Sequence, residues 1–193
     1  CGQLKFDATG LGRLHHRDYP SELALSLGIV SEPEYRTNEP PYAECVAIGP
    51  CWKDADGSYR ALAATQPGEA EVELLERSPS KLSFQVVYQA ERRIIERYVL
   101  TPESVELSAS VGAGPIRLTV PLLLTDGEAC STIRQEGRAL MVHYRGAEFR
   151  AEALEENTRV SIRQVRAPNR NGIYDIGQFE RPEGTVTARF MFS

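Results

Sequence analysis

The sequence predicts an all-β chain: an antiparallel two-sheet β-sandwich of about twelve strands with little or no helix. Three observations carry this. First, apolar and polar residues alternate: Leu82, Phe84, Val86 and Tyr88 against Ser83, Gln85 and Gln89, then Val105, Leu107, Ala109 and Val111 against Glu106, Ser108 and Ser110. Successive strand side chains point to opposite faces, whereas a helix needs apolar residues three and four apart. Second, the stretch Glu69–Leu124 holds five apolar runs separated by Ser78-Pro79-Ser80, Ala90-Glu91, Thr101-Pro102 and Gly112-Ala113-Gly114. Breaks that short suit hairpins and exclude crossover helices. Third, turn signals recur at roughly 8–12 residue spacing along most of the chain, as in sandwiches and barrels.

Taken in order, Gly10 and Gly12 suit a turn, and Pro20 disfavours helix at Tyr19. Glu22–Val30 reads as a buried strand or a short helix, with Ser26 and Gly28 favouring strand. Ser31–Tyr42 carries Pro33, Asn38, Pro40 and Pro41 and reads as a loop. Glu44–Ile48 is expected as a short strand ending at Gly49-Pro50, and Asp54-Ala55-Asp56-Gly57 as a hairpin turn into Ser58–Ala64. The central meander follows, with Ile94-Ile95 ambiguous in register. Beyond the Asp126-Gly127 turn come strands at Cys130–Gln135, Leu140–Tyr144, Glu148–Ala153, Arg159–Val165, Ile173–Ile176 and Thr185–Phe192. Ala167–Gly172 is expected to be a tight turn or loop.

A chain of 193 residues with 41% hydrophobic content supports one domain with a substantial core, residues 1–193. The net charge of −5 argues against a nucleic-acid surface, which needs clustered Lys and Arg. No apolar run approaches the roughly 20 residues of a membrane span. Nothing has the layout of a signal peptide, and secreted, periplasmic and cytoplasmic locations all stay open. Cys1 as first residue favours a fragment, the C-terminal part of a longer protein; initiator removal and a lipidated cysteine are the alternatives. Cys1, Cys45, Cys51 and Cys130 lack zinc-site spacing, and a Cys45–Cys51 disulfide is open if the protein is exported.

No residue constellation identifies a reaction. The densest polar cluster is His15, His16, Arg17, Asp18 and Tyr19. Histidine exchanges protons near neutral pH, Arg clamps carboxylates and Tyr donates a proton, so His15, His16, Arg17 and Tyr19 are the catalytic candidates. The alternative is a solvated surface loop with an incidental ion pair. His143 is the only other histidine, and no spacing supports a metal site. Asn169, Arg170 and Asn171 are either a turn or a loop donating hydrogen bonds to sugar hydroxyls. Trp52, with Tyr42 and Tyr59 nearby in sequence, is either a stacking platform for a sugar ring or core filling. Asp54 and Asp56 resemble half a calcium loop whose remainder is missing. No cofactor is expected.

The segments RIIERYVLTPESVELSASV and LTVPLLLTDGE, preceded by RLHHRDYPSELALSLGIV, resemble the C-terminal β-sandwich of bacterial polysaccharide lyases of the heparinase II/III-like type. These are patterns of residue type covering most of the chain. The resemblance implies an upstream helical toroid in the same parent protein as partner, and an acidic polysaccharide as ligand. It also implies that His15 or His16, with Tyr19, contributes to the site. A free-standing carbohydrate-binding module and an interaction domain with no small-molecule site are the competing expectations.

Overall fold

A computed structural model describes residues 11–26, 46–65, 69–89, 91–169 and 171–193. The described residues form fifteen strands: β1 Arg13–Leu14, β2 Ala24–Leu25, β3 Gly49–Lys53, β4 Tyr59–Ala61, β5 Glu69–Ser78, β6 Lys81–Gln89, β7 Arg93–Leu100, β8 Val105–Ser110, β9 Ile116–Thr125, β10 Thr132–Glu136, β11 Ala139–Tyr144, β12 Ala147–Ala153, β13 Arg159–Asn169, β14 Gly172–Arg181 and β15 Thr185–Phe192. The one helical element among them is a 3-10 turn at Leu62–Ala64. Eight strands pair in the order β10-β11-β12-β15-β8-β7-β6-β5, and five in the order β13-β14-β9-β3-β4, with β1-β2 as a small ladder. Every named pairing is antiparallel. The two larger sheets pack face to face, β15 against β9 and β14, so the chain is the expected β-sandwich. β1 falls on no expected strand, being too short for alternation to register, whereas β2 lies within the expected Glu22–Val30 element and β4 within the expected Ser58–Ala64 return strand.

The core lies between the sheets and contains Leu107, Leu118, Val120, Leu140, Val142, Phe149, Tyr174, Phe179 and Phe190, all essentially buried. The alternation that predicted β6 to β8 is the alternation that fills it: Ile94 is fully buried and Ile95 faces outward, which resolves that register. Gly177 lets β14 approach β9 and β11, because a Cβ there would lie 2.8 Å from Val120 Cγ1. Two prolines sit inside strands. Pro121 of β9 faces β14 at Ile176, whereas β3 pairs with β9 only from Ile116 to Thr119. Pro50 of β3 faces β9 alone, since β4 joins at Cys51. At both places the ladder is one-sided, which is where a residue without an N–H is tolerated.

Several boundaries move. Of the strand expected at Glu44–Ile48, Glu44 and Cys45 lie outside the described residues and Ile48 makes an isolated bridge to Leu11; the ladder runs over Gly49–Lys53, through Pro50. The strand expected at Ile173–Ile176 is Gly172–Arg181, because Gly177 and Gln178 stay in the ladder opposite β9. β13 continues past Val165 to Asn169, with a register shift between Arg163 and Ala167. Arg166 there takes φ +47°, and the Asp175 carboxylate accepts the backbone N–H groups of Val165 and Arg166 at 3.0 and 3.1 Å. The expected Ser31–Tyr42 loop, the last four residues of the Glu22–Val30 element, Cys1, Cys45 with its disulfide, and Tyr42 lie outside the described residues.

Candidate functional site

One end of the sandwich collects most of the polar chemistry. β9 finishes there at Thr125, β14 starts at Gly172, β11 and β12 turn at Arg145-Gly146, and Ser193 pairs with Glu148. The loop 15–23 is closed by the β1-β2 ladder, with Leu14 opposite Ala24. Leu14, Leu23 and Ala24 are buried and anchor it. The Tyr174 hydroxyl donates to the Glu22 carbonyl at 2.8 Å, tying the loop to β14. Burial pushes the Tyr174 phenol well above its ordinary value.

Within that loop, His16 and Tyr19 come together. Their ring centroids are 4.9 Å apart, and Tyr19 stacks on Phe192 of β15 at 5.9 Å. Phe192 in turn contacts the buried Phe149 at 5.2 Å. The pair therefore rests on an aromatic stack rooted in the core. The Asp18 N–H donates to His16 Nδ1 at 3.3 Å, so the neutral imidazole carries its proton on Nε2. Asp18 Oδ2 stands 3.8 Å from the same nitrogen. Arg17 is 90% exposed, paired at 3.3 Å with the adjacent Asp18. A surface pair of this kind is worth about 0–1 kcal/mol, so the guanidinium is readily recruited by another anion. His15 is exposed and makes no hydrogen bond, ion pair or ring contact among the described residues.

Sequence reasoning missed a second cluster at the same end. Asp126 Oδ1 accepts the N–H groups of Glu128 and Ala129 at 2.8 and 2.7 Å. Its Oδ2 accepts the Tyr144 hydroxyl and, at 2.6 Å, Arg145 Nη2. Arg145 also reaches Glu128 at 2.9 Å. The Ala129 amide bond first, then Tyr144 and Glu128, hold the Asp126 carboxyl well below the usual carboxylate range. Desolvation, reinforced by the bond to Asp126, pushes the Tyr144 phenol up to about 12. Arg145 adopts φ +48° and Gly146 φ +80°, the two-residue hairpin geometry that normally asks for Asn-Gly. Its ion pairs offset the cost of a left-handed non-glycine residue. The available signals were the Asp126-Gly127 turn and the Arg-Gly step, residue types that most often mean no more than a turn.

The other sequence candidates separate. Trp52 is corrected: its ring is fully buried between the sheets, with Arg92 5.6 Å from its centroid, so it offers no face to a sugar. The reason is register, since Trp52 on β3 pairs with the buried Ile116 of β9. Tyr59 is covered on one face by Arg117, 3.6 Å from its ring centroid. Asn169 pairs with Gly172 to close the β13-β14 hairpin, with Asn171 half-buried in its turn. Gly172 abuts the Thr125 carbonyl so closely that a Cβ would not fit. The hairpin thus shares the end of the sandwich with the 15–23 loop. Arg170 and the Asn169 side chain lie outside the described residues. His143 is elsewhere, on the outward face, where Nε2 meets Glu148 at 2.9 Å. Asp54 is engaged by Arg60 at 2.7 Å, and Asp56 by Ser58. Among the described residues no group of three or more His, Cys, Asp or Glu is placed to hold a metal ion. No helix among them is long and apolar enough to cross a membrane.

No protein-family model matches the chain. No curated protein shows significant sequence similarity to it.

Proposed function

We propose that this chain is the β-sandwich of a carbohydrate-active enzyme of polysaccharide lyase type, acting on an acidic polysaccharide, with the His15–Tyr19 loop as its contribution to the site. The observation that carries the reading is the contact of His16 with Tyr19 on the Phe192 stack. Lyase chemistry removes the proton next to a uronate carboxylate, protonates the leaving oxygen and neutralises the carboxylate. A phenol and an imidazole held together on a loop that rests on Phe192 of β15 are suited to the two proton transfers. The exposed Arg17 is suited to the carboxylate. Arg145 is not, because Asp126 and Glu128 already engage it.

The competing carbohydrate-binding-module reading loses its platform with the burial of Trp52. The test uses the polypeptide as the cell makes it, a panel of uronate-containing polysaccharides, and ultraviolet absorbance of the unsaturated product. Tyr19→Phe and His16→Ala should each lower kcat by roughly 100-fold or more. Arg17→Ala should act mainly on KM. Turnover unchanged by His16→Ala and Tyr19→Phe ends the proposal.

A further inference from the structure

Away from this end, one edge of the large sheet is unlike the others. β4 has three residues and β10 five, and β13 is interrupted by its register shift and carries Pro168. Short, broken or proline-bearing edges are how sheets avoid recruiting another strand. β5 has ten residues, all exposed; its ladder to β6 is unbroken from Glu69 to Leu74 before a register shift between Leu74 and Glu76, and among the described residues it pairs on that side only. Its inward face carries Ala70, Val72 and Leu74, opposite Tyr88, Val86 and Phe84. Val72 is 70% and Leu74 58% exposed, the two most exposed large apolar side chains described. Phe84 beside them is only half-buried and stacks on Tyr98 at 4.9 Å.

The outward face of β5 is acidic. Glu69, Glu71, Glu73 and Glu76 stand along it with Arg77 as the only cation of the strand. Glu73 accepts Gln85 Nε2 at 2.6 Å, and Glu76 meets Lys81 at 2.6 Å. Glu69 and Glu71 have no hydrogen bond or ion pair among the described residues. A second copy of this chain laid along β5 would bring two strands of excess negative charge together, which is unfavourable. The glutamates thus oppose self-pairing, while the apolar face and the open backbone groups stay available.

We infer that β5 accepts an added strand from a protein partner, a segment whose side chains alternate apolar residues with Lys or Arg. The added backbone pairs with the open side of β5. Its apolar side chains extend the Val72–Leu74 surface, and its cations face Glu69, Glu71 and Glu73. Strand addition draws affinity from main-chain hydrogen bonds and specificity from alternate side chains, and β5 offers both. This surface is independent of the proposed catalytic loop.

The test presents the full 193-residue chain to a displayed library of random ten-residue peptides. The consensus peptide is then measured by fluorescence anisotropy, with hydrogen exchange reporting on β5. The expected consensus alternates apolar and basic residues, binds more weakly as salt rises, and protects the β5 amides. Val72→Asp with Leu74→Asp should weaken it by about tenfold or more, and Glu69→Lys with Glu71→Lys should weaken it and flatten its salt dependence. The charge-reversed variant alters only exposed positions and carries the test if the aspartates disturb folding. An absent, acidic or helically spaced consensus, or equal binding to the charge-reversed variant, overturns the inference. So does protection of β5 by self-association of the chain alone.

Discussion

The two halves of the eight-stranded sheet are written in the same alternating pattern and meet opposite environments. On β12, Phe149 and Ala151 are fully buried and Arg150 faces out. On β5, Val72 and Leu74 repeat that pattern around Glu73 and remain in water. The difference is sheet width. Eight strands face five. The narrower sheet does not reach the edge strand β5, which no layer among the described residues covers. Coverage ends near β6 and β7, where Val86 and Ile94 are still buried. Alternation therefore specifies which face is apolar, and the partner sheet decides whether that face becomes core.

Substitutions on the two halves should separate sharply. Phe149→Ala, in the covered half, should cost about 3–5 kcal/mol in urea unfolding, since it removes a fully buried ring that supports Phe190 and Phe192. A cost below about 1 kcal/mol would mean that the covered half is not a close-packed core.

The boundary between the halves carries the next effect. Glu96 on β7 points inward and is fully buried, and a Cβ at Gly49 on the facing sheet would lie 3.6 Å from its Oε1. The Tyr98 hydroxyl donates to Oε2 at 2.9 Å. Desolvation dominates and raises the carboxyl to about 7, with bonds from Tyr98 and Tyr88 opposing it. The folded state then holds this proton more tightly than the unfolded chain. Folding is undisturbed by this group below the ordinary value of 4.5 and loses stability as pH rises from there to about 7. Glu96→Gln removes the ionisation. Its stability relative to the parent should rise across that window by about 3 kcal/mol, following 1.36 kcal/mol per pH unit. Parallel pH profiles for the two proteins would show Glu96 to be hydrated rather than buried.

The smallest effect belongs to the bare half. Val72→Thr should change the unfolding free energy by no more than about 0.5 kcal/mol, because an exposed edge side chain loses little packing. A larger loss would mean that β5 is covered in the isolated chain, and the contrast between the halves would fail.

The meander was legible in the sequence because its signals are local. β6, β7 and β8 fall between the breaks at Ser78–Ser80, Ala90-Glu91, Thr101-Pro102 and Gly112–Gly114. The His16–Tyr19 pair was found for the same reason, since both residues lie in one short loop. The Asp126, Tyr144 and Arg145 cluster was not, because its members are 18 and 19 residues apart and meet only when two hairpin turns pack at the same end. Trp52 shows the limit from the other side. Its residue type fits a binding platform or a core equally, and pairing with β9 is what encloses it.

By itself the sequence determined the strand class, most of the turns and the apolar face of the clearly alternating strands, because period-two alternation and turn chemistry act between near neighbours. Only the tertiary structure decided which of those faces would be dry, which loops would share an end, and which edge would stay open. Those depend on strand order and on the unequal widths of two sheets, properties that no local window of residues contains.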